Sequence, residues 1–509
     1  MRPAPIAVMN EKSSPSAVVD AMPEVFVSRA SISAEVTRRV AQGRLRKIAS
    51  RLYTRDLDSD PEDLVRRNLW SIAAGYFPGA LIADRTAFEL QPAEDASVCM
   101  VTPRGADIEL PGVVLRPRRG APPIPDDRPF LDDLRLSSRA RACLDNLRPS
   151  RARGGRLRRT LSRGDVESQL ERLVAMVGEG EVSRLRETAR RIAPRIDRAP
   201  EFVQLDAIVG ALVGTQPARL SAPTARARVA GRAYDPRRLD LLGRLHAELL
   251  RTSAPSRPTP PRDGIGAATL AFFEAYFSNY IEGTEFTTEE AVAIIFGGRI
   301  PDQRPTDAHD VLGVWRIVSD AAEMRRVPET AEDFLDLLRA RHRRMLSQRP
   351  EAAPGQFKTA PNRVGAIEFV HADAVVGTLE RSFEMHRTLD TPFSRAVFMH
   401  FLVSEVHPFA DGNGRVARIM MNADLVAGDQ ERIVIPTVYR DNYIAGQRAL
   451  TVGGPVAPML RMLDFAWNWT AAVRWGALDE TMATLRASHA FHRSGDAERL
   501  GLRLAVPSD

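Results

Sequence analysis

The chain contains 509 residues, of which 44% are hydrophobic and 27% charged, so it is expected to fold into two or three domains, and a disordered chain is excluded. The formal net charge of +6 permits a nucleotide or nucleic-acid partner without demanding one. Two cysteines, Cys99 and Cys143, exclude a disulfide framework. No stretch approaches the roughly 20 apolar residues that span a bilayer, so we expect a cytoplasmic protein with no membrane partner.

The first segments predict a tail and a small basic head. Residues 1–24 are rich in Pro, Ala and Ser, which predicts a disordered tail. Ser31–Thr54 combines a short helical pattern, a break at Gly43 and an apolar series among basic residues. This segment resembles the winged-helix head of certain phage-defence antitoxins, which implies a winged-helix-like head over 25–60 that contacts the phosphates of duplex DNA. The residues assigned to this contact are Arg38, Arg39, Arg44, Arg46, Lys47 and Arg51. The alternative is the basic face of a protein-interaction module.

A mixed pattern then predicts an α+β domain over 61–195. The stretches "ASVCMVTP" and "GVVLRP" are typical of strands, and the arginine-rich run 148–164 indicates a solvated connector. Residues 196–262 predict a helical connector that ends in a proline-rich linker, where we expect the domain boundary. Helical patterns beyond it predict a mainly α domain over 263–480, followed by a tail over 481–509.

One stretch, "HPFADGNGRVAR" from His407 onward, carries several chemical groups. A strongly apolar helical pattern ends directly before His407, the nearby group that can take a proton at neutral pH. The turn Gly412–Gly414 tolerates positive φ angles that aim backbone N–H groups at one anion, and the helix after it adds its positive N-terminus. Arg415 and Arg418 can hold further phosphate oxygens. Asp411 would repel phosphate there unless Mg²⁺ bridges them. The stretch predicts a polyphosphate substrate, Mg²⁺ and a hydroxyl nucleophile.

The same stretch resembles the Fic family motif H-x-F-x-[D/E]-G-N-G-R-x-x-R. The match holds at every defined position, namely His407, Phe409, Asp411, Gly412, Asn413, Gly414, Arg415 and Arg418. The resemblance extends over roughly 266–475 and implies a mainly α Fic fold with a β-hairpin flap. It also implies transfer of AMP from ATP to a Ser, Thr or Tyr hydroxyl of a target protein, with release of pyrophosphate.

The resemblance implies a role for each motif residue. His407 would be the general base and Asp411 the Mg²⁺ ligand. The Gly-Asn-Gly turn would hold the α- and β-phosphates, Arg415 would contact the leaving group, and Phe409 would anchor the loop. The intact Asp411 favours nucleotidyl transfer over phosphorylation.

A second motif, "SNYIEG", fits the pattern [S/T]-x-x-x-E-[G/N] that marks an inhibitory helix in similar proteins. Ser278 and Glu282 share one helical face, and Gly283 follows them. A glutamate beside Arg418 would occupy the position of the γ-phosphate and leave ATP in a pose whose α-phosphate is closed to attack. The alternative is an ordinary surface glutamate before a helix-ending glycine.

The remaining assignments concern the target and the nucleotide base. Residues 354–370 correspond by resemblance to a flap that pairs with the backbone of the target protein. Tyr443 is assigned to the base pocket, with a core position as the alternative. The sequence thus predicts an autoinhibited protein adenylyltransferase. Alternatives are a de-AMPylase, a transferase of another nucleotide, and a DNA-binding regulator with a nucleotide-sensing Fic domain; a homodimer is left open.

Overall fold

The computed structural model of the protein describes residues 15–103, 105–253 and 256–507. The chain divides into two compact units, residues 1–229 and 230–509. The division therefore falls before the proline-rich linker at which the boundary was predicted.

The N-terminal unit begins with a small head of two helices and three strands. Its elements are α1 Pro15–Asp20, β1 Val25–Val27, α2 Ser33–Ala41, β2 Arg46–Ala49 and β3 Leu52–Thr54. The strands form an antiparallel sheet in the order β1-β3-β2. Val19 on α1 is fully buried in a small core with Phe26 and Val36. The predicted tail over 1–24 is therefore wrong from Pro15 onward, because an apolar face of α1 packs; residues 1–14 lie outside the described residues.

Four of the six basic side chains assigned to DNA are engaged within the head. Arg38 and Arg39 each pair with Glu35 at 2.7 Å. Arg46 and Arg51 donate to backbone carbonyls. These contacts give the arginines a structural role, and DNA binding stays a prediction.

The rest of this unit combines a mixed sheet with a helical cluster. Its strands are β4 Leu81–Ile82, β5 Ser97–Val101, β6 Ile108–Leu110, β7 Val113–Arg118, β8 Arg128–Pro129 and β9 Arg135–Leu136, in the order β6-β7-β5-β4-β9-β8. Its helices are α3 Pro61–Arg67, α4 Leu69–Tyr76, α5 Thr86–Glu89, α6 Arg139–Leu147, α7 Arg163–Val177, α8 Glu179–Ile192, α9 Ala199–Leu212 and α10 Pro223–Val229. The two stretches predicted as strands form β5 and β7, which pair in parallel.

The C-terminal unit is mainly helical. Its helices are α11 Pro236–Leu249, α12 Gly264–Ile281, α13 Thr288–Ile295, α14 Pro305–Val318, α15 Ala321–Met324, α16 Ala331–Met345, α17 Val375–His386, α18 Pro392–Val406, α19 Asn413–Ala427, α20 Arg440–Thr451, α21 Ala457–Ala472, α22 Leu478–Ala487 and α23 Ser494–Arg499. A short antiparallel hairpin, β10 Arg363–Val364 and β11 Ile367–Glu368, lies in the segment predicted as the flap. Helices α18 and α19 are buried almost all round and lie in the core, so the loop between them is fixed at both ends.

The proline-rich segment packs on the C-terminal unit and is not a free linker. The guanidinium of Arg257 lies 4.5 Å from the ring centroid of Trp467 and pairs with Asp464 at 2.7 Å. Pro258 forms a β-bridge with Gln430. The prediction of a proline-rich linker is therefore wrong for this segment, because arginine supplies the ring and carboxylate contacts that proline lacks.

The predicted C-terminal tail over 481–509 is also wrong for the residues described there, which end at 507. Leu485, Ala497 and Leu504 are buried in one cluster with Phe273 and Phe277 of α12. Short helices with few apolar positions give a weak periodic signal, so the packing was not visible in the sequence.

The predicted fold class is confirmed as a mainly α C-terminal part and an α+β N-terminal part. Among the described helices, none is both long and apolar enough to cross a membrane.

Candidate functional site

Helix α18 delivers His407 to the site. The helix ends because His407 adopts a left-handed conformation, with φ of 52° and ψ of 59°, and because Pro408 follows it. The His407 N–H still donates to the Val403 carbonyl at 3.0 Å, so the position of the residue is fixed by the helix end. The site therefore starts from a rigid element.

The imidazole of His407 is set up to accept a proton. Its Nδ1 lies 3.3 Å from the Ser404 carbonyl, to which an Nδ1–H donates, and this tautomer leaves Nε2 with a free lone pair. Phe369 stacks on the ring, with centroids 3.8 Å apart and planes 7° apart. Burial is the main cause that lowers the pKa of His407 to about 4; the Ser404 hydrogen bond opposes this shift, and the nearby Lys358 charge adds to it. His407 is thus neutral at pH 7.

The loop after His407 forms a seat at the start of α19. Gly412 has φ of +75° and is the N-cap of α19, where it supplies no capping side chain. The first backbone N–H groups of the helix are therefore free of a side-chain cap, as an anion site requires. The φ of +75° makes any residue with a Cβ strained at Gly412, so the turn needs glycine for its backbone conformation. Asn413 and Gly414 are helical, so the expectation of positive φ is wrong at these two positions: they form the first turn of α19.

Two side chains lock this loop in place. The amide of Asn413 accepts from the Phe409 N–H at 2.8 Å and donates to the Phe409 carbonyl at 2.9 Å. The fully buried Phe409 ring stacks on His342, with centroids 3.7 Å apart. His342 accepts from the Gly355 N–H through Nδ1 and contacts the Asp411 carbonyl through Nε2 at 3.0 Å. The prediction placed Phe409 as the anchor, and the structure adds His342 as its partner.

Asp411 and Arg415 belong to one ionic network. Buried Arg415 pairs with buried Asp310 and lies 3.5 Å from the Asp411 carboxylate. Arg349 contacts the carboxylates of both Asp310 and Asp411 at 3.0 Å. This network of two arginines and two carboxylates fixes the orientation of Arg415 and Asp411, the side chains that face the phosphate seat, before substrate binds.

Glu282 lies over the start of α19 and is paired with Arg418. Its Oε1 is 2.6 Å from Arg418 Nη2, and a Cβ added to Gly414 would collide with this same oxygen. Glu282 ends α12, and Gly283 with φ of +95° turns the chain away from it. Ser278, one turn earlier, accepts from Arg418 through its hydroxyl at 3.0 Å and through its carbonyl at 2.8 Å. The structure brings the predicted inhibitory motif and the predicted phosphate seat into contact.

Tyr443 occupies the core beneath Arg418. Its hydroxyl accepts from Arg418 Nη1 at 3.2 Å and lies 2.7 Å from His400 Nε2. Burial lowers the pKa of His400 to about 3, so this ring is neutral and Nε2 can accept the hydroxyl proton. Tyr443 is 3% exposed, which places its side chain in the alternative core position, while its assignment to the base pocket stays a prediction.

The hairpin segment is joined to the motif loop. The Lys358 N–H donates to the Pro408 carbonyl at 2.8 Å, and its ammonium donates to Asn362 at 2.6 Å. Asn362 in turn donates to the Phe409 carbonyl at 3.0 Å. Burial lowers the pKa of Lys358 to about 7, with the Arg238 charge as the smaller cause. These contacts place the hairpin beside His407.

One side chain of this site, that of Asp411, is a suitable ligand for a magnesium ion. The Asp411 side chain is 45% exposed beside the start of α19, and in the described part of the chain no group of three His, Cys, Asp or Glu side chains could hold an ion. Mg²⁺ typically takes one or two carboxylates and completes its octahedron with substrate phosphates and water. Asp411 can therefore contribute to a site that a nucleotide would complete.

The sequence did not predict functional roles for Asp310, His342, Arg349, Lys358 or Phe369. Weak signals were present: Lys358 is one of three lysines in the chain, Lys358 and Phe369 lie in the segment 354–370 assigned to the flap, and Asp310 lies in "RPTDAHDVLG", a stretch that also resembles the family.

Comparison with known proteins agrees with the motif. Residues 333–425 match the Fic/DOC family. "Protein adenylyltransferase Fic" of Drosophila melanogaster is 27% identical over 211 residues, which cover 39% of this chain and 42% of that protein. "Protein adenylyltransferase fic-1" of Caenorhabditis elegans is 27% identical over 188 residues, which cover 36% and 37%. The matches thus span about two fifths of the length of these relatives.

The solved structure of a fragment of Fic-1 from Caenorhabditis elegans is similar to this chain, with a TM-score of 0.33 and 18% sequence identity. The likeness covers 64% of this chain and 94% of that one.

Proposed function

We propose that the Fic domain of this chain transfers AMP from ATP to a hydroxyl side chain of a target protein, and that α12 holds the enzyme in an inhibited state. The observation that carries the proposal is the loop between α18 and α19, which presents the neutral His407 beside the side-chain-free start of α19. The relatives named as protein adenylyltransferases support it.

The chemistry needs one base and one phosphate seat. Nε2 of His407 takes the proton of the incoming hydroxyl, and the hydroxyl oxygen forms a bond to the α-phosphorus. The bond between the α-phosphorus and the bridging oxygen breaks, and pyrophosphate leaves with that electron pair. The first turn of α19 and Arg415 bind phosphate oxygens as negative charge moves onto the leaving group.

Asp411 is the residue that would hold Mg²⁺. The ion would neutralise phosphate charge when bound. The pairing of Asp411 with Arg349 keeps its carboxylate at the rim of the seat, so the residue is positioned before nucleotide binds.

Inhibition follows from competition for one arginine. Arg418 is 5% exposed and its guanidinium is satisfied by Glu282, Ser278 and Tyr443. A γ-phosphate that needs this guanidinium must displace the Glu282 carboxylate, which is hydrogen-bonded and a third exposed. ATP bound without displacing it is held out of line for attack.

The test compares incorporation of two radiolabels into one variant. The Glu282→Gly variant is incubated with ATP labelled at the α- or the γ-phosphate, and the protein is then separated from free nucleotide. We expect label on protein from α-labelled ATP alone, and none when His407→Ala is added. Label from the γ-phosphate would establish phosphorylation and overturn the proposal, and α-label that persists in the His407→Ala double variant would overturn the role of the base.

A further comparison decides between nucleotides. Under the same conditions, CTP, GTP or UTP labelled at the α-phosphate should give less label than ATP. Preferential transfer from one of these nucleotides would replace AMP transfer with transfer of that nucleotide.

A further inference from the structure

A cavity of about 670 Å³ lies within the N-terminal unit, between the mixed sheet and the start of α9. Its lining contains six arginines and three aspartates, an excess of positive charge: Arg118, Arg119, Arg148, Arg159, Arg195 and Arg198, against Asp84, Asp145 and Asp197. The volume is within the range of about 300–1,000 Å³ that small-molecule sites occupy.

The floor of the cavity is a prearranged network of buried charges. Asp84 is 1% exposed and accepts from Arg118 through three contacts, at 2.7, 2.9 and 3.1 Å, and from Arg159 at 3.2 Å. Asp145 accepts from Arg198 at 3.0 Å. Burial, with the neighbouring Asp84 charge, raises the pKa of Asp145. The three arginines are held in fixed orientations.

The rim adds cations that the protein does not neutralise. Arg119 and Arg195 are exposed, and no ion pair in the described part of the chain engages either. Arg148 is paired only at longer distances, 3.5 Å from the exposed Asp197 and 3.9 Å from Glu201. The N-cap of α9 is Arg198, whose side chain does not cap the helix, so the positive end of a 14-residue helix begins at the cavity wall.

The run 148–164 contributes directly to this arrangement. Thr160 and Ser150 hydrogen-bond to each other across the segment, and Arg159 donates to the Arg116 carbonyl at 2.6 Å. The expectation of a wholly solvated connector is therefore wrong at Arg159, because buried Asp84 draws this side chain inward.

We infer that this cavity is a second, separate binding site for a small molecule that carries a di- or triphosphate group. The excess of guanidinium groups on a concave wall matches the several oxygens of such a group. A nucleic-acid strand is a poorer fit, because its bases need stacking platforms, and none of the described lining residues is aromatic.

The experiment measures binding of pyrophosphate to the full chain by calorimetry. Arg119→Ala/Arg195→Ala removes two rim charges that have no ion pair to lose. Arg29→Ala/Arg172→Ala is the matched control, because it removes two exposed arginines of the same unit that also lie outside any ion pair among the described residues. We expect binding about tenfold weaker in the first variant and unchanged in the second.

Three outcomes would overturn the proposal. The first is an absence of saturable pyrophosphate binding in the wild type, and the second is binding that the rim variant leaves unchanged or that both variants lose equally. The third is binding of inorganic phosphate as tight as that of pyrophosphate, which would mean a single-phosphate seat. A single-stranded oligonucleotide that binds the wild type and loses binding in the rim variant, while pyrophosphate does not bind at all, would assign the surface to nucleic acid instead.

Discussion

Glu282 Oε1 lies 2.6 Å from Arg418 Nη2, across 136 residues of sequence, and the same oxygen rests against the backbone of Gly414. One carboxylate therefore contacts both the arginine and the first turn of α19, the two groups that would otherwise bind phosphate. A carboxylate in an anion seat is an internal competitor for the ligand of that seat.

Glu282→Gly is expected to raise labelling of protein from α-labelled ATP about a hundredfold, which corresponds to about 2.7 kcal/mol of exclusion. The reason is that the seat and Arg418 become free together. The initial rate of incorporation measures the effect. Glu285→Gly is the control, because Glu285 lies in the same loop, is exposed and pairs with Arg493 instead. An equal rise in both variants would mean that loosening of the loop, and not release of the seat, activates the enzyme.

Arg418→Ala added to Glu282→Gly should lower the activity again by about tenfold or more, because the buried guanidinium is then needed by the nucleotide. ATP affinity, measured by calorimetry on the same proteins, should fall with it. Thermal unfolding of the double variant checks that the core beneath Arg418 is intact. If the double variant is as active as Glu282→Gly alone, Arg418 does not bind the nucleotide and serves only the inhibited state.

The sequence predicted the residues of the loop well because they are contiguous. A single turn connects the two buried helices α18 and α19, and it brings together His407, Asp411 and Arg418. The spacing of these residues in the sequence is enough to define that arrangement. The pairing of Ser278 and Glu282 with Arg418 depends on packing of α12 against α19, yet the motif spacing placed both residues on one face.

The contacts that support the loop could not be predicted in the same way. Asp310 reaches Arg415 across 105 residues, and His342 reaches the Asp411 carbonyl across 69. Such pairings depend on how α14 and α16 pack, and helical periodicity says which face is apolar but not which neighbour it meets. The core position of Tyr443 could not be predicted for the same reason, since the helical spacing of a tyrosine is compatible with both a pocket and a core.

Tyr443→Phe tests the core position directly. Loss of the hydroxyl removes the hydrogen bonds to Arg418 and His400 and should lower the free energy of unfolding by about 1–2 kcal/mol, measured by denaturant titration. The ratio of ATP to GTP use in the Glu282→Gly background should not change. A shifted nucleotide preference with unchanged stability would support the assignment of Tyr443 to the base pocket.

Acid should weaken the fold through three buried histidines. Burial lowers the pKa values of His342 and His407 to about 4 and that of His400 to about 3, below the usual value near 6.5. As the pH falls, the histidines of the unfolded chain are protonated before those of the folded chain. The contribution of the three neutral histidines to the free energy of unfolding is therefore fully present above about pH 6.5 and is lost progressively towards pH 4. The temperature of thermal unfolding should therefore shift downward from pH 6.5 to 5, whereas above pH 7 the lowered pKa of Lys358 sets its change with pH.

The same lowered pKa predicts the pH profile of transfer. His407 must be neutral to accept the hydroxyl proton, and with a pKa of about 4 it stays neutral throughout the range from pH 8 to 6. Labelling by the Glu282→Gly variant should therefore show no decline attributable to this base until the pH drops below about 5. His342→Gln separates the two effects, because it should shrink the acid shift of thermal unfolding without moving the pH profile of the remaining activity. A rate that halves near pH 6.5 in the Glu282→Gly variant, with the protein still folded, would show that His407 titrates as an exposed histidine and that the stacked Phe369 does not shield it.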